Sequence, residues 1–511
     1  MARAVTDTCC LTLPLTLEKW QSDRLEKRFE IARQIYNTLL NFELKKLRRL
    51  EQSDEYAGIH TVLQNLYQEG KKETQDYKRF SQRRKELLKK AGFSEYTFSA
   101  DMKPLYKHFS DSIASKVAVL GIAKDVWRAF DKLLFGNGKS VHFKKRGELK
   151  SVKGYNSAAG ASGGTEIIFR GTYIEWNKLK LPVQLDPGNK YETEMLQKRV
   201  KYCRIIKKAG RTKPRWYVQL MLEGRPAVKC DRITGKPIHP VGNGPVGIDI
   251  GPQTIAYVSN TEAKLQELAD GVKNIEREKR LLLRKMDRSR RALNPDNYSD
   301  NGTVKRGIKL NWVKSNRYLR LQHDLSALLR DQAELRKRQH NELANHLLSL
   351  GNRFFVEDME WPALTHRAKK TEISEKTGKY KRKKRFGKSV SNKAPAMLTA
   401  MLNQKLTSRG LNGIVKVPTK VKASQYNHLT GVYTQKPLSQ RWNDMPDGKR
   451  IQRDLYSAFL LQHMNETLNG FDNAKLRLDY PRFIEQHDDV ILNLQNSKHT
   501  ISSMGIRRTA S

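Results

Sequence analysis

Cysteine is scarce in this chain: four residues in 511, at Cys9, Cys10, Cys203 and Cys230. That is too few for a disulfide scaffold, and their spacing offers no paired metal-ligand knuckle. A reducing compartment follows. No run of about 18 apolar residues occurs, so no membrane-spanning helix is expected. The stretch from Met1 to Leu17 also lacks the basic start and continuous apolar core of a signal peptide. The expected location is therefore cytoplasmic. Acidic residues are short as well, 53 Asp and Glu against 97 Lys and Arg, leaving a formal charge of +44. Such a charge repels itself in the compact state unless a polyanion neutralises it, which points to a nucleic-acid partner.

A chain of 511 residues exceeds what one core supports, so two to four domains are expected. Leu11-Thr-Leu-Pro-Leu-Thr-Leu17 alternates like a half-buried strand, and Pro14 places it at a sheet edge. From Trp20 to about Phe135 the pattern is helical and basic, with Trp127, Phe130 and Leu134 on one face, read as core. Asn156 to Gly164 looks like a flexible loop. Ile167–Phe169, Tyr173–Trp176, Val200–Ile206 and Trp216–Leu222 read as strands, with a hairpin turn at Ala209 to Thr212. They predict a β domain completed by the strand near Leu11.

Near Val246 the pattern becomes α/β with long charged helices. Val272, Ile275, Leu282 and Met286 keep helical spacing, as do Leu321, Leu325, Leu328 and Leu335. The polar segment Asn294 to Gly302 breaks them into a helical hairpin whose basic faces either grip a duplex or are merely solvated. Ten of the twenty residues from Lys369 to Lys388 are Lys or Arg, which reads as a phosphate-contacting loop. Lys381, Arg382, Lys383, Lys384 and Arg385 are its centre.

Chemistry concentrates in three places. Val246-Gly-Ile-Asp-Ile-Gly251 sets one carboxylate, Asp249, in a strand otherwise suited to burial, where an unpaired charge is costly. Arg353-Phe-Phe-Val-Glu-Asp-Met359 is a short strand after a helix, suited to lie parallel to the first and bring Glu357 beside Asp249. Alternation puts Glu357 and Asp358 on opposite faces, so one of them enters the site. In Arg450 to Leu461, Asp454 falls in the first turn of a helix, where alone it would read as a cap. Asp, Glu and Asp in this order match RuvC-type nucleases of the RNase H-like fold. Clustered carboxylates cannot all stay ionised without cations, so two Mg²⁺ ions at Asp249, Glu357 and Asp454 are expected to serve phosphodiester hydrolysis.

The chain resembles the TnpB family, transposon-encoded relatives of type V CRISPR effectors. The resemblance rests on Val246 to Gly251, Val356-Glu-Asp-Met359, Lys436-Pro-Leu-Ser439 before Arg441, and Gln452-Arg-Asp-Leu455, and covers about residues 110 to 465. It implies a multidomain α+β fold: a helical recognition lobe, a β-barrel-like wedge domain, and an RNase H-like (RuvC) α/β nuclease domain with a helical insertion. The implied boundaries are a first wedge strand at 1–18, recognition helices at 19–138, wedge at 139–243 and nuclease at 244–423. A ribbon at 424–448, the end of the nuclease domain at 449–480 and a flexible tail at 481–511 complete them. Phe143-Lys-Lys-Arg146 resembles part of the wedge, making Lys144, Lys145 and Arg146 candidate nucleic-acid contacts.

The resemblance implies an RNA-guided DNA endonuclease. A guide RNA of transposon or CRISPR type pairs with double-stranded target DNA, and a short flanking motif is read by the protein. It places the protein in a prokaryotic cytoplasm, at the nucleoid when bound to DNA, and leaves monomer or dimer open. One departure concerns the ribbon, whose two Cys-x-x-Cys-Gly knuckles lack cysteine. Asn427-His-Leu-Thr-Gly431 and Asp444-Met-Pro-Asp-Gly448 stand in their places, so no zinc is expected. Two rival readings remain: an RNA-guided DNA-binding repressor without cleavage, and an actin-like ATPase or kinase suggested by Gly247 to Thr254. The three carboxylates weigh against the first. The charge and the lack of a second phosphate loop weigh against the second.

Overall fold

The computed structural model describes the chain except residues 1–5, 137, 156–165, 209, 211–213, 367–370, 375–377, 379, 381–385, 438, 498–499 and 508–511. The glycine-rich loop, most of the hairpin turn at 209–212 and the five basic residues Lys381 to Arg385 lie outside the described residues. Two compact units make up the chain, Met1–Cys230 and Asp231–Ser511.

In the first unit a strand, β1 (Thr8–Pro14), precedes five helices: α1 (Lys19–Glu51), α2 (Asp54–Gln68), α3 (Gln75–Lys90), α4 (Glu95–Tyr106) and α5 (Ala123–Leu134). The turn before α5, Val117–Ile122, is a π-helix. Then come β2 (Ser151–Tyr155), β3 (Ile167–Phe169), β4 (Tyr173–Trp176), β5 (Leu179–Pro182), α6 (Lys190–Leu196), β6 (Val200–Lys208) and β7 (Arg215–Glu223). A four-stranded sheet runs β1-β7-β6-β2 and a three-stranded one β3-β4-β5. Strand β1 is an edge, so Pro14 costs no ladder bond there. Its alternation turns Leu11 and Leu13 into the same core as Val218, Leu220 and Phe29 of α1. The ring of Phe29 meets Trp216 edge-on at 5.0 Å between centroids, locking helix to sheet.

The second unit is built on a five-stranded sheet in the order β10-β9-β8-β11-β12. Its strands are β8 (Pro245–Ile250), β9 (Thr254–Val258), β10 (Ala263–Glu267), β11 (Arg353–Glu357) and β12 (Val415–Val417). The first three form an antiparallel meander, and β11 and β12 run parallel to β8. Between β10 and β11 the chain makes the hairpin of α7 (Glu276–Leu293) and α8 (Asn316–Leu350). Between β11 and β12 come α9 (Trp361–Thr365), α10 (Gly387–Lys393) and α11 (Pro395–Ser408). Two small hairpins follow, β13 (Tyr426–Asn427) with β14 (Val432–Tyr433) and β15 (Trp442–Asp444) with β16 (Arg450–Gln452), then α12 (Arg453–Gln462) and α13 (Asn473–Gln495).

Strand periodicity sorts the sheet into two faces. Val246, Ile248, Tyr257, Phe354 and Val356 pack with Ala344, Leu347 and Leu348 of α8 and Leu398, Leu402 and Leu406 of α11. Ala256, Val258 and Phe355, on the other face, pack with Leu455, Ala458 and Phe459 of α12 and Leu476 and Phe483 of α13. The result is three layers, helices over both faces of one mixed sheet, the arrangement that a sheet apolar on both sides requires.

Three expectations need correction. The boundary falls at 230/231, because residues 231–244 bond to the second unit: Gly242 N–H donates to the Leu348 carbonyl (2.9 Å) and Arg409 to the His239 carbonyl (2.6 Å). The segment from residue 481 is no flexible tail up to Gln495, since α13 continues through Pro481 and buries Phe483, Ile484, His487 and Ile491. Met504 and Ile506 beyond it are buried too. Finally, Val272 and Ile275 share the helical spacing of α7 but precede it; Ile275 is its N-cap residue.

Candidate functional site: a carboxylate cluster at one sheet edge

Asp249 lies on the central strand β8, paired with Ala256 of β9. Parallel pairing of β11 with β8 sets Val356 opposite Ile248, which makes the next residues, Glu357 and Asp249, neighbours on one face. Asp358 alternates away from them: it is exposed and pairs with Lys416 at 2.7 Å.

The face carrying Asp249 is covered by α12, and a glycine allows the approach. A Cβ on Gly247 would fall 2.0 Å from the Ala458 carbonyl oxygen and 2.3 Å from the Gln462 nitrogen, so only glycine fits beneath the helix. Gln462 also donates to the Pro245 carbonyl (3.3 Å) and to Asn260 (2.8 Å). The C-terminal end of α12 thus lies over the start of β8. Its N-terminal turn, with Asp454, is directed toward Asp249, two residues along the strand from Gly247.

The electrostatics agree with this placement. Burial pushes the Asp249 carboxyl well above the carboxylate range, and the charges of Asp454 and Glu357 push it the same way. Burial raises Glu357, against the opposing pull of Arg453. Burial raises Asp454 as well, opposed by Arg441, the Gln452 amide and Arg453. All three residues are of intermediate exposure. The positive N-terminal end of α12 faces them.

Two arginines border the cluster without neutralising it. The buried Arg453 is held by the carbonyls of Pro437 (3.1 Å) and Gln440 (3.4 Å) and by Ser424 Oγ (3.3 Å). Arg441 stands 3.8 Å from Asp454 Oδ1. The buried Ser457 lies beside Asp249, where its hydroxyl favours the charged carboxylate. The fully buried Gln452 caps α12, its Oε1 accepting from Leu455 N–H (2.9 Å) and its Nε2 lying 3.4 Å from Asp454 Oδ2. Among these neighbours the sequence reading missed Arg453, Gln452 and Ser457; their position around Asp454 was visible, but not their direction.

The donor set is oxygen only, which suits a hard divalent ion such as Mg²⁺. Among the described residues no group of three or more His, Cys, Asp or Glu stands close enough to hold a metal ion, so the cluster as it stands does not form a closed coordination site. Its carboxylates, each pushed toward the neutral form, are groups that a divalent cation would return to the charged form.

The other candidate contacts sit in the first unit. Lys144 is half-buried and fixed: its amide donates to Asn37 Oδ1 (2.9 Å), its carbonyl accepts from Arg33 (2.8 Å), and its ammonium covers the Tyr36 ring at 4.5 Å. Lys145 and Arg146 are exposed. Arg146 lines a cleft of about 780 Å³ with Glu30, Arg33 and Phe109.

The ribbon segment keeps its two turns. Asn427 Oδ1 accepts from Leu429 N–H (3.0 Å) and Thr430 N–H (3.4 Å), and Gly431 follows with φ +73°. In the second turn Asp447 Oδ1 accepts from Lys449 N–H (3.2 Å) and Gly448 has φ +80°. Tyr456 of α12 holds the first turn, accepting from His428 N–H (3.0 Å) and facing His428 Nδ1 at 2.8 Å. Tyr480 of α13 holds the second by donating to Asp447 Oδ2 (2.9 Å).

The chain matches no protein-family model and no curated protein sequence. Among solved structures it is similar to the cryo-EM structure of a CRISPR-Cas12f ternary complex, over 90% of this chain and 100% of that one. Identity is 13% and the TM-score 0.23, a likeness too slight to fix fold or function. Among the described residues no helix is long and apolar enough to cross a membrane.

Proposed function

We propose that the second unit is an RNase H-like, RuvC-type nuclease domain and that the protein is an RNA-guided DNA endonuclease. The observation that carries this reading is the side-by-side register of Asp249 and Glu357, with Asp454 brought to the same face by α12. A meander followed by two parallel strands, with the carboxylates on the central strand, its parallel neighbour and a covering helix, suits that domain. The formal charge of +44 supports a partner rich in phosphates, as a guide RNA paired with DNA is. The TnpB resemblance supplies the guide and the flanking motif.

Asp249, Glu357 and Asp454 are the residues that would hold Mg²⁺, which when bound supplies a water activated for attack and charge to offset the leaving oxygen. The protein's own part is placement. The β8–β11 ladder fixes two carboxylates on a rigid sheet, and Gln452 fixes the third at the helix start. Arg441 and Arg453 limit the repulsion among the three and favour approach of a phosphodiester. The metal-free ribbon and the basic loop Lys381 to Arg385 belong to this reading as a packed turn pair and a phosphate contact.

The deciding experiment is to sequence RNA that co-purifies with the protein, then supply that RNA, Mg²⁺ and duplex DNA carrying its complement. Cleavage that needs all three is the expected result. Guided binding without any cut would leave the repressor, and ATP turnover without nucleic acid would replace both.

A further inference from the structure

The hairpin of α7 and α8 has little to do in the core. Helix α8 is 35 residues long, yet its buried residues are only His340, Ala344, Leu347 and Leu348, all in the last third. Helix α7 buries Met286 alone. At 1.5 Å per residue, residues 316–338 make about 35 Å of helix with no buried side chain.

The direction of this arm can be read from the sheet. Strand β10 is antiparallel to β9, and β9 to β8, so β10 ends at the same sheet edge as β8 and β11. That edge carries Asp249 and Glu357. Just past the end of β10, Asp270 accepts from Gln339 of α8 at 2.5 Å, and the Lys273 carbonyl accepts from Gln332 at 3.0 Å. Helix α8, packed on the face opposite the carboxylates, therefore passes the C-terminal ends of these strands near Gln339, and the arm extends outward beyond the end of the sheet at which the carboxylates stand. Its last turns lead directly into β11, which ends in Glu357.

The arm is strongly basic, with fourteen Lys and Arg against five Asp and Glu between residues 276 and 320. On α7, Arg277, Arg280, Arg284 and Arg288 are all exposed and recur at intervals of three and four, which puts them in one row about 16 Å long. On α7, Glu276 pairs with Lys279 (3.3 Å) and Asp287 with Arg290 (2.6 Å) and Arg291 (2.7 Å), and among the described residues the row itself forms no ion pair.

The tip is a built structure. Asn294 ties its two sides by donating to the carbonyls of Arg290 (2.8 Å) and Val313 (2.9 Å) and accepting from Val313 N–H (2.7 Å). Tyr298 and Trp312 meet edge-on at 5.8 Å, and the Arg290 guanidinium lies 5.0 Å from the Trp312 ring centre. A tip stiffened in this way presents exposed Lys305, Arg306 and Lys309 at little entropic cost to a bound partner.

We infer that the α7–α8 hairpin is a DNA-docking arm: the arginine row and the tip lysines grip the phosphates of the duplex whose strand reaches the carboxylate cluster. The arm's length is close to one turn of duplex, about 34 Å, and its contacts are to backbone, independent of sequence. The choice of DNA as occupant rests on reading Asp249, Glu357 and Asp454 as the site that meets the cut strand, since the arm leaves the fold at that edge.

The test uses the full chain in EDTA, so that it does not depend on cleavage. A first variant replaces Arg277, Arg280, Arg284 and Arg288 by Gln; a second replaces Lys305, Arg306 and Lys309 by Gln. All seven positions are exposed, and melting curves superimposable on the parent's would report an intact fold. Binding of a 30-base-pair DNA duplex and of the co-purifying RNA is measured across a salt series. The first variant should lower DNA affinity at least tenfold and flatten the log–log salt slope by about 2 to 4, with RNA affinity unchanged. The second should act in the same sense. DNA binding and slope equal to the parent's in both variants would overturn the inference. So would an equal loss for RNA, which would make the arm a guide-RNA contact. If the arm holds DNA but Asp249→Ala still cuts, the nuclease reading fails while the docking arm stands.

Discussion

The main-chain N–H of Gln452 donates to Nε2 of His487 across 3.0 Å, joining the start of α12 to the middle of α13. His487 is oriented in turn by Asp488 Oδ1, 2.8 Å from its Nδ1, and burial keeps its imidazole neutral by lowering its pKa. Gln452 also donates to the Met504 carbonyl at 3.2 Å, so the C-terminal region holds the turn that presents Asp454. His487→Ala would leave a buried N–H unpaired, at a cost of about 1 to 3 kcal/mol. His487→Gln returns an acceptor near the same place. The alanine variant should cut about tenfold more slowly with unchanged DNA affinity, and the glutamine variant should recover most of the rate. Equal losses of rate and affinity in both variants would make His487 a purely structural residue.

Asp249→Ala, Glu357→Ala and Asp454→Ala should each abolish cleavage while leaving RNA and DNA binding within about threefold, because in the proposed nuclease these groups would hold cations and not phosphates. Asp358→Ala should cut near the parental rate, since its carboxylate pairs with exposed Lys416 on the opposite face, a contact worth at most about 1 kcal/mol. A normal rate for Glu357→Ala together with a dead Asp358→Ala would reverse the assignment on β11.

What could be read from residues alone follows the range of each signal. Val246 to Gly251 and Arg353 to Asp358 are short apolar runs, buried on both faces and interrupted by carboxylates, so the strands were legible, and strand alternation alone separated Glu357 from Asp358. Asp454 was legible only through its order in the chain, because its placement depends on Gly247 letting α12 lie flat on β8, a long-range contact with no local pattern. Helix α13 was missed for a related reason: Pro481 and the charges of its exposed face look like a tail, and only packing against Phe459 reveals Phe483 as core, the two rings stacked at 4.3 Å. Arg453 reads as one more cation among 97 until its guanidinium is found buried against three oxygens.

The ribbon offers a test of whether a turn pair can hold without a metal. In a zinc knuckle, thiolates accept the turn's N–H groups; here Asn427 Oδ1 and Asp447 Oδ1 accept them, and Tyr456 and Tyr480 tie the two turns to α12 and α13. Zinc needs Cys or His ligands in number, and His428 is turned toward Tyr456. Chelators should leave the melting temperature unchanged, whereas Tyr456→Phe should lower it by a few degrees. One zinc per chain by elemental analysis after dialysis would defeat this account.

Acid should destabilise the second unit through its buried histidines. Burial lowers His428 from 6.5 to about 4, and lowers His340 and His487 in the same direction. Between those values the unfolded chain binds protons that the folded chain refuses, so this contribution is complete above about pH 6.5 and is lost as pH falls toward 4. For His428 it is on the order of 3 kcal/mol. The raised carboxylates of the cluster act in the opposite sense, holding protons when folded that the unfolded chain has released, so a total acid profile mixes the two. His428→Asn isolates one contribution: its side-chain amide can hydrogen-bond the Tyr456 hydroxyl in place of Nδ1, and it does not titrate. The variant should melt lower than the parent at pH 7.5, for lost packing against Phe459 and Tyr480, yet lose less between pH 7.5 and pH 4.5. Parallel melting-temperature curves for the two proteins over that range would mean that His428 takes up its proton without unfolding.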